Sequence, residues 1–598
     1  MPHSLCAAGL RGRTGPGLLA ERARREPDRV AYRAKRLGLY EERSWRDYAS
    51  LVARCARGLQ ALGLAAGERV AVMGDPCERW VLADLGAQAA GAITYGIYPT
   101  ASPAEVEYQM RDGGASVFFA EDQEYVDRIL PLADRLPMLR HVVVMDRSAM
   151  FAYEHAKLLG FEALLAAGGE ANAADLEALC ARLDPAAPAF IVYTSGTTGP
   201  PKGAVVAHGT HLAAAQNLLE HYPALAAGAH RTVAYLPLCH ILGRDVGITL
   251  PLLGGPVPHF GEDLEDLPRT LFEVAPTVLF TVPRYLQKFA SQVLVGIANT
   301  SGLKRAAYEL AMRTGRKHAR ARWAGRADAS IAYRIARHAV FRPILNKLGL
   351  DALELLVSGG APLPPETMAL WQIWGVNTVE IYGQTEEAGA IITGQKGPFP
   401  GPGNVGTPAP GMELKLGEGG EIQVRGPHAF REYWGNLQAT REVLGEDGWL
   451  RTGDVGEWRG GALRLVDRAR DFIVTAGGKT LSPSTIENLL RASPYIAEAM
   501  VIGQARKFVS ALVEIDFDTV ADWARGRDIA YTGFTSLASH PQVEALIAGE
   551  VARANAELAR VEQVKAFRIL PKALDPETEG EPVTPTRKVK RELMLERF

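Results

Sequence analysis

An apolar run, Ala189-Phe-Ile-Val-Tyr193, passes directly into Thr194-Ser-Gly-Thr-Thr-Gly-Pro-Pro-Lys-Gly203. The run reads as a buried strand. The ten residues after it hold three glycines, four hydroxyl side chains and one lysine. Glycines let backbone N–H groups wrap around an anion. Ser195, Thr197 and Thr198 add hydroxyl donors, and Lys202 adds a positive charge. A triphosphate is the guest such a loop suits; the plain alternative is a Gly/Thr-rich surface loop. The loop is not a Walker P-loop, which needs G-x-x-x-x-G-K-[ST]. Counted from Gly196, Pro201 stands where the second glycine belongs, and Gly203 follows Lys202.

Strand-like runs of this kind recur and end in turn residues. Val70–Met73 runs into Gly74-Asp75-Pro76, and Val142–Met145 into Asp146. Val278–Phe280 leads to Pro283, Leu353–Val357 to Ser358-Gly-Gly360, and Val379–Tyr382 to Gly383. Helical stretches such as Trp45–Leu62 lie between them. Alternation of this kind predicts an α/β fold with mostly parallel sheets. Ligands then gather beyond the carboxyl ends of strands. After about Gly406 the pattern becomes alternating, as in Glu413–Leu416 and Glu421–Arg425, which predicts antiparallel strands. A charged segment, Asp467–Asp471, precedes Gly477-Gly478 and marks a hinge. The expected organisation is a large N-terminal domain, 1–467, of stacked mostly parallel sheets with helices plus a small β-barrel-like subdomain. A small mobile C-terminal α/β domain, 468–598, follows it.

Bulk properties narrow the function. The 598 residues carry 66 Lys/Arg against 68 Asp/Glu, a net charge of −2, so no global field favours nucleic acid. The five cysteines are scattered, which argues against a disulfide framework or a zinc site. The first residues lack the apolar core of a secretory signal. The longest apolar stretch, Val81–Pro99, contains Asp84 and Gln88 and reads as a buried helix running into a strand. A cytoplasmic protein, peripheral to membranes at most, is expected. One segment stands out: Lys304 to Arg342 holds eleven Lys/Arg and two acidic residues, with apolar residues interleaved. It reads as a solvated helical pair, or as a patch that meets an anionic membrane or guides an acidic substrate.

Five further motifs follow the loop. They are Ser358-Gly-Gly-Ala-Pro362, Ile381-Tyr-Gly-Gln-Thr-Glu386, Trp449-Leu-Arg-Thr-Gly-Asp454, Asp467-Arg468 with Gly477-Gly-Lys479, and Thr584-Pro-Thr-Arg-Lys-Val-Lys-Arg591. In this order they resemble the adenylate-forming (AMP-binding) superfamily over nearly the whole chain. The Tyr-Gly-Gln-Thr-Glu spelling, Leu236-Pro-Leu-Cys-His240 and the C-terminal motif resemble its long-chain fatty acyl-CoA synthetases.

The resemblance implies roles. Thr194, Ser195, Gly196, Thr197, Thr198 and Gly199 would cradle phosphate beside Lys202. Gly360, Ala361 and Pro362 would cup adenine, and Tyr382 would stack on it, with Gly383 and Gln384 adjacent. Thr385 would touch phosphate, and Glu386 with Thr198 would hold Mg²⁺, which prefers a carboxylate plus substrate phosphates. Asp454 would accept both ribose hydroxyls, and Arg468 would reach ribose or phosphate. Lys588 would be the catalytic lysine, Arg470 the hinge, and Gly477-Gly478 the loop of the thioester step. His240, after a strand-like Val233–Leu238, would separate the ATP and acyl sites. Thr281–Arg284, His240 and Gly383 are candidates for the acyl tunnel. Gly243-Arg244-Asp245 departs from the Glu-Arg that many such enzymes carry there.

The implied reaction couples a carboxylic acid to coenzyme A through an acyl-adenylate, releasing AMP and pyrophosphate. The acid is a long-chain fatty acid, or in other readings a steroid, aryl or branched acid. A ligase that loads a carrier protein, or a non-catalytic nucleotide or lipid binder, is the remaining alternative.

Overall fold

The computed structural model describes residues 7–194, 199–326 and 330–598. Its largest sheet has eight strands. In spatial order they are Glu432–Tyr433, Lys202–Ala207, Pro188–Thr194, Ile93–Ile97, Arg69–Met73, Ala115–Ala120, His141–Val144 and Leu158–Gly160. The six from Pro188–Thr194 onward are parallel. Strand alternation explains why they read as unbroken apolar runs. Val70, Val72, Val117 and Phe119 feed one core, and Ala71, Met73, Phe118 and Ala120 feed another on the opposite face. Helices cover both faces, so neither can be polar.

A second sheet runs Val278–Thr281, Leu355–Ser358, Thr378–Gly383, Ile391–Gly394 and Thr407–Pro408, parallel in its first three strands. A third joins Arg231–Val233, Val257–Phe260, Val30–Arg36 and Leu39–Ser44. The predicted antiparallel region is an open four-stranded sheet of Glu413–Leu416, Glu421–Arg425, Leu450–Arg459 and Ala462–Arg468. It is a half-barrel, not a closed one. Beyond it, Ile496–Ile502, Val509–Ile515 and Val564–Ile569 form a three-stranded sheet whose apolar core draws only on residues from Ile473 onward. The fold is therefore α/β with a large N-terminal part, a half-barrel and a smaller C-terminal part.

Candidate active site

The carboxyl ends of the first two sheets and the half-barrel converge on one cleft. Thr194 and Lys202 are register partners on antiparallel strands, and the Thr194 hydroxyl donates to the Lys202 carbonyl at 3.2 Å. Gly199 adopts φ +80°, a conformation that favours glycine. Ser195, Gly196, Thr197 and Thr198 lie outside the described residues.

Asp454 gathers the second set. It accepts from the Tyr382 hydroxyl at 2.8 Å and from Gln384 Nε2 at 2.7 Å. Arg468, its register partner on the next strand, approaches within 3.4 Å. One carboxylate thus ties the second sheet to the half-barrel. Burial, reinforced by the Asp454 charge, pushes the Tyr382 phenol well above its ordinary pKa, so it stays a donor. Gly360, Ala361 and Pro362 are exposed on the neighbouring turn, where Gly360 has φ +81°. Buried Glu380 anchors that turn by accepting from the Leu363 N–H at 2.8 Å.

Glu386 sits on a short 3₁₀ turn, Thr385–Glu387, at the end of the same strand. Its carboxylate accepts from the Tyr433 hydroxyl at 2.5 Å. Tyr433 lies on the edge strand paired to Lys202–Ala207, so the Lys202 ammonium stands over its ring, 5.3 Å from the centroid. Gly383, Thr385 and Glu386 keep access to solvent.

The segment leading to His240 differs from expectation. The strand ends at Val233, not at Leu238, and residues 234–240 form an irregular turn. Glycine explains the path. A Cβ on Gly96 would fall 2.4 Å from Cys239 Cβ, so the turn lies flat on strand Ile93–Ile97 only because Gly96 has none. His240 then caps the helix Ile241–Arg244, its Nδ1 accepting from the Leu242 N–H at 3.3 Å. Burial and the nearby Lys588 push its pKa down to about 4, so it is neutral near pH 7. Gly243 packs on the turn before it so closely that a Cβ there would meet the Pro237 carbonyl at 2.1 Å. Arg244, next to it, is buried and forms two hydrogen bonds, 2.7 and 2.8 Å, with buried Asp84.

The acyl-tunnel candidates fare unevenly. Thr281 is fully buried and accepts from the Tyr235 hydroxyl at 2.6 Å, which is a core arrangement. Arg284 is exposed and faces the C-terminal part; desolvation between the two parts and the Arg587 charge lower its pKa. Behind Arg244 lies a cavity lined by Phe190, His208, His211 and Ile248 among others. Its volume is ≈ 20 Å³, room for a water but not for an acyl chain.

The C-terminal part presents Lys588 to this cleft. The Lys588 N–H donates to the Thr584 hydroxyl at 3.0 Å, which pins the loop. The side chain keeps solvent access, yet the cleft walls crowd it. Desolvation and the Arg468 charge lower its pKa, opposed by Asp454 and Glu386. Contacts across the cleft hold this arrangement: the Thr100 hydroxyl donates to the Pro585 carbonyl at 2.8 Å, and Arg128 pairs with Glu577 at 2.9 Å. Asp467 accepts from the hydroxyls of Ser482 and Ser484 at 2.6 and 2.7 Å. Gly477 and Gly478 lie elsewhere, exposed on a two-stranded hairpin with open space around them. In this arrangement they do not join Lys588, Asp454 and Glu386.

Sequence reasoning missed Tyr433, Asp84 and Glu380. Tyr433 is 47 residues from its partner Glu386, a distance no motif spans.

Comparison with known proteins identifies the family and the fold. Residues 19–434 match the AMP-binding enzyme family, and residues 470–598 match the AMP-binding enzyme C-terminal domain. The chain is 33% identical over 587 residues to the long-chain-fatty-acid–CoA ligase FadD15 of Mycobacterium bovis, covering 97% of this chain and 95% of that one. It is 29% identical over 518 residues to the long-chain-fatty-acid–CoA ligase ACSBG2 of Rattus norvegicus, covering 85% and 77%. The crystal structure of the anthranilate CoA ligase AuaEII in complex with anthranoyl-AMP superposes with a TM-score of 0.72 at 21% identity, covering 99% of each chain. The match over residues 19–434 and the 33% identity to FadD15 over 97% of the chain place this chain in the AMP-binding enzyme family.

Proposed function

We propose that this chain is an ATP-dependent acid–CoA ligase that activates a long-chain fatty acid. It would form an acyl-adenylate with loss of pyrophosphate, then transfer the acyl group to coenzyme A with loss of AMP. The observation that carries this reading is that Lys588 stands within electrostatic reach of Asp454, Arg468 and Glu386, because charge builds on the α-phosphate and pyrophosphate during adenylation. Lys588 and Lys202 would offset that charge, as preorganised donors do in other group transfers. Asp454 would hold the ribose, and Tyr382 would stack on adenine while keeping its hydroxyl on Asp454. The Gly360–Pro362 turn would close over the base.

Glu386 suits Mg²⁺: it is a carboxylate with solvent access, oriented by a tyrosine hydroxyl. With Thr198 it would hold the ion, which supplies charge neutralisation for the departing pyrophosphate. His240, neutral at pH 7, would position the substrate carboxylate without competing for it as a cation.

In this reading residues 1–467 and 468–598 are two units that pivot at Arg470. The arrangement with Lys588 in the cleft serves adenylation, and rotation would bring Gly477-Gly478 to the acyl-adenylate for the thioester step. The long-chain preference rests on relatives such as FadD15 and ACSBG2. Among the described residues no helix is long and apolar enough to cross a membrane.

The test is mass spectrometry of the protein with MgATP, coenzyme A and a panel of fatty, aryl and steroid acids. Acyl-CoA plus AMP from the long-chain acids is the expected result. Acyl-AMP without acyl-CoA would replace coenzyme A by a carrier protein, and absence of AMP would end the enzymatic reading.

A further inference from the structure

Residues 302–323 and 331–347 form two stretches of helix packed side by side on the second sheet's core. The first, Gly302–Trp323, buries Tyr308, Ala311, Met312, Gly315, His318 and Ala319. The second begins at Ile331 and buries Tyr333, Ala336, Phe341 and Leu345. His318 stacks on Tyr333 with ring centroids 3.8 Å apart, locking the two together. Both therefore turn their remaining faces outward on the same side.

That outward surface is chemically unusual. On the first helix, Leu310, Arg313, Lys317 and Arg320 lie opposite the buried stripe, at the three- and four-residue spacings that share a face. The second adds Arg334 and His338, with Arg342 beside them paired to Asp351 at 3.4 Å. Four large apolar side chains project among these charges: Leu303 is 83% exposed, Leu310 65%, Ile331 71% and Ile335 62%. Leu303 and Leu310 are two turns apart, and Ile331 and Ile335 one turn apart. The segment Lys304–Arg342 carries 11 − 2 = +9, while the whole chain carries −2. Positive charge is thus concentrated in this segment of an otherwise acidic molecule, and Arg313, Lys317, Arg320 and Arg334 bring part of it to the outward face.

We propose that this two-helix face docks on an anionic phospholipid bilayer. Leu303, Leu310, Ile331 and Ile335 would enter the headgroup boundary, and the surrounding arginines and lysines would meet lipid phosphates. A face of basic residues alone would suit any polyanion. The exposed leucines and isoleucines distinguish a lipid surface, because burying them gains free energy only against an apolar phase. The docking rests on this face alone and does not depend on which acid is activated.

The test is flotation of the full chain with phosphatidylcholine vesicles, with and without phosphatidylserine. Binding is expected only to the anionic vesicles, weakening with salt. The triple variant Arg313→Gln, Lys317→Gln, Arg320→Gln should lower partitioning on the order of 100-fold. The pair Leu310→Gln, Ile335→Gln should weaken it as well, leaving binding to a soluble polyanion such as heparin unchanged. Neither variant should alter turnover of a short water-soluble acid, which separates this docking from the enzymatic reading. Absence of binding to anionic vesicles, or equal binding by the triple variant, would overturn the proposal. Insensitivity to the Leu310/Ile335 pair with strong heparin binding would replace lipid by a nucleic acid or other polyanion.

Discussion

The Tyr433 hydroxyl donates to the Glu386 carboxylate at 2.5 Å, while the Lys202 ammonium stands 5.3 Å from the centre of the same ring. One aromatic side chain on an edge strand therefore positions the proposed metal carboxylate and shields the proposed phosphate lysine. Partners that orient a metal ligand affect metal affinity or activity by 10–100-fold when removed. Tyr433→Phe should raise the Mg²⁺ concentration for half-maximal adenylation by about 10-fold, with little change at saturating Mg²⁺. Titration of pyrophosphate exchange against Mg²⁺ reads this directly. An unchanged Mg²⁺ requirement would remove Glu386 from the metal site.

Lys588 carries the second prediction. Its pKa lies below the ordinary lysine value of 10.5, through desolvation and Arg468. A lysine is charged below its pKa and neutral above it. The adenylation rate should therefore fall as pH rises, starting earlier than an ordinary lysine would allow. Lys588→Ala should slow adenylation by about 10²–10³-fold and abolish that alkaline limb. Lys588→Arg should keep part of the rate with a flatter pH profile, since arginine does not titrate there. A Lys588→Ala variant that adenylates at the normal rate would show that another group offsets the charge.

Much of this cleft is legible in the sequence because strands stop at Gly, Ser and Thr, and the motifs fall at those stops. The strands at 188–194, 355–358 and 378–383 all end where a loop motif begins. Asp454 and Arg468 are readable for the same reason, as a pair brought into register by two antiparallel strands. What the sequence does not disclose depends on tertiary approach. The strand stops at Val233 and the chain then passes flat over Gly96 at Cys239, although Val233–Leu238 has strand composition. Asp84 looks like an ordinary polar interruption of an apolar helix until Arg244 reaches it from 160 residues away. Shape complementarity of this kind leaves no local pattern to read.

Glu380 gives a prediction on stability. Burial raises its pKa from 4.5 to about 8. A raised folded-state pKa contributes stability that is complete below pH 4.5 and lost as pH rises toward about 8, because the unfolded chain ionises first. Glu380→Gln cannot ionise but keeps an oxygen for the Leu363 N–H. Relative to the variant, the parent should lose stability at up to ~1.4 kcal/mol per pH unit across that window. Urea unfolding midpoints of both proteins at several pH values measure the difference. A gap that does not widen with pH would mean that Glu380 is ionised in the fold.

The Asp84–Arg244 pair is predicted to be structural. Both residues are almost fully buried, and Asp84 also accepts from Thr94 at 2.6 Å and Gln88 at 2.8 Å. Removing one partner of a buried pair leaves the other charged in a low dielectric, at a cost of about 3–5 kcal/mol. Arg244→Met should be destabilised by that amount, and Asp84→Asn combined with Arg244→Met should recover part of it. Urea unfolding of the two variants checks both the loss and the recovery. Equal stability of Arg244→Met and the parent would show that the pair is solvated.

The last prediction concerns the pivot. Asp467 accepts from Ser482 and Ser484, while the next residue, Arg468, faces Asp454. The bonds from Asp467 thus reach forward across Arg470 and fasten the C-terminal part in the arrangement that places Lys588 in the cleft. If the chain pivots at Arg470, these bonds must break for the thioester step, and the backbone at 470 must change conformation. Proline fixes φ near −65° and removes that freedom. Arg470→Pro should leave acyl-adenylate formation within about twofold and slow acyl-CoA formation from preformed acyl-adenylate by at least about 10-fold. Single-turnover measurement of each half-reaction separates the two. An equal fall in both would place the pivot elsewhere or show that Arg470 supports the fold. A fall in neither would mean that one arrangement serves both steps.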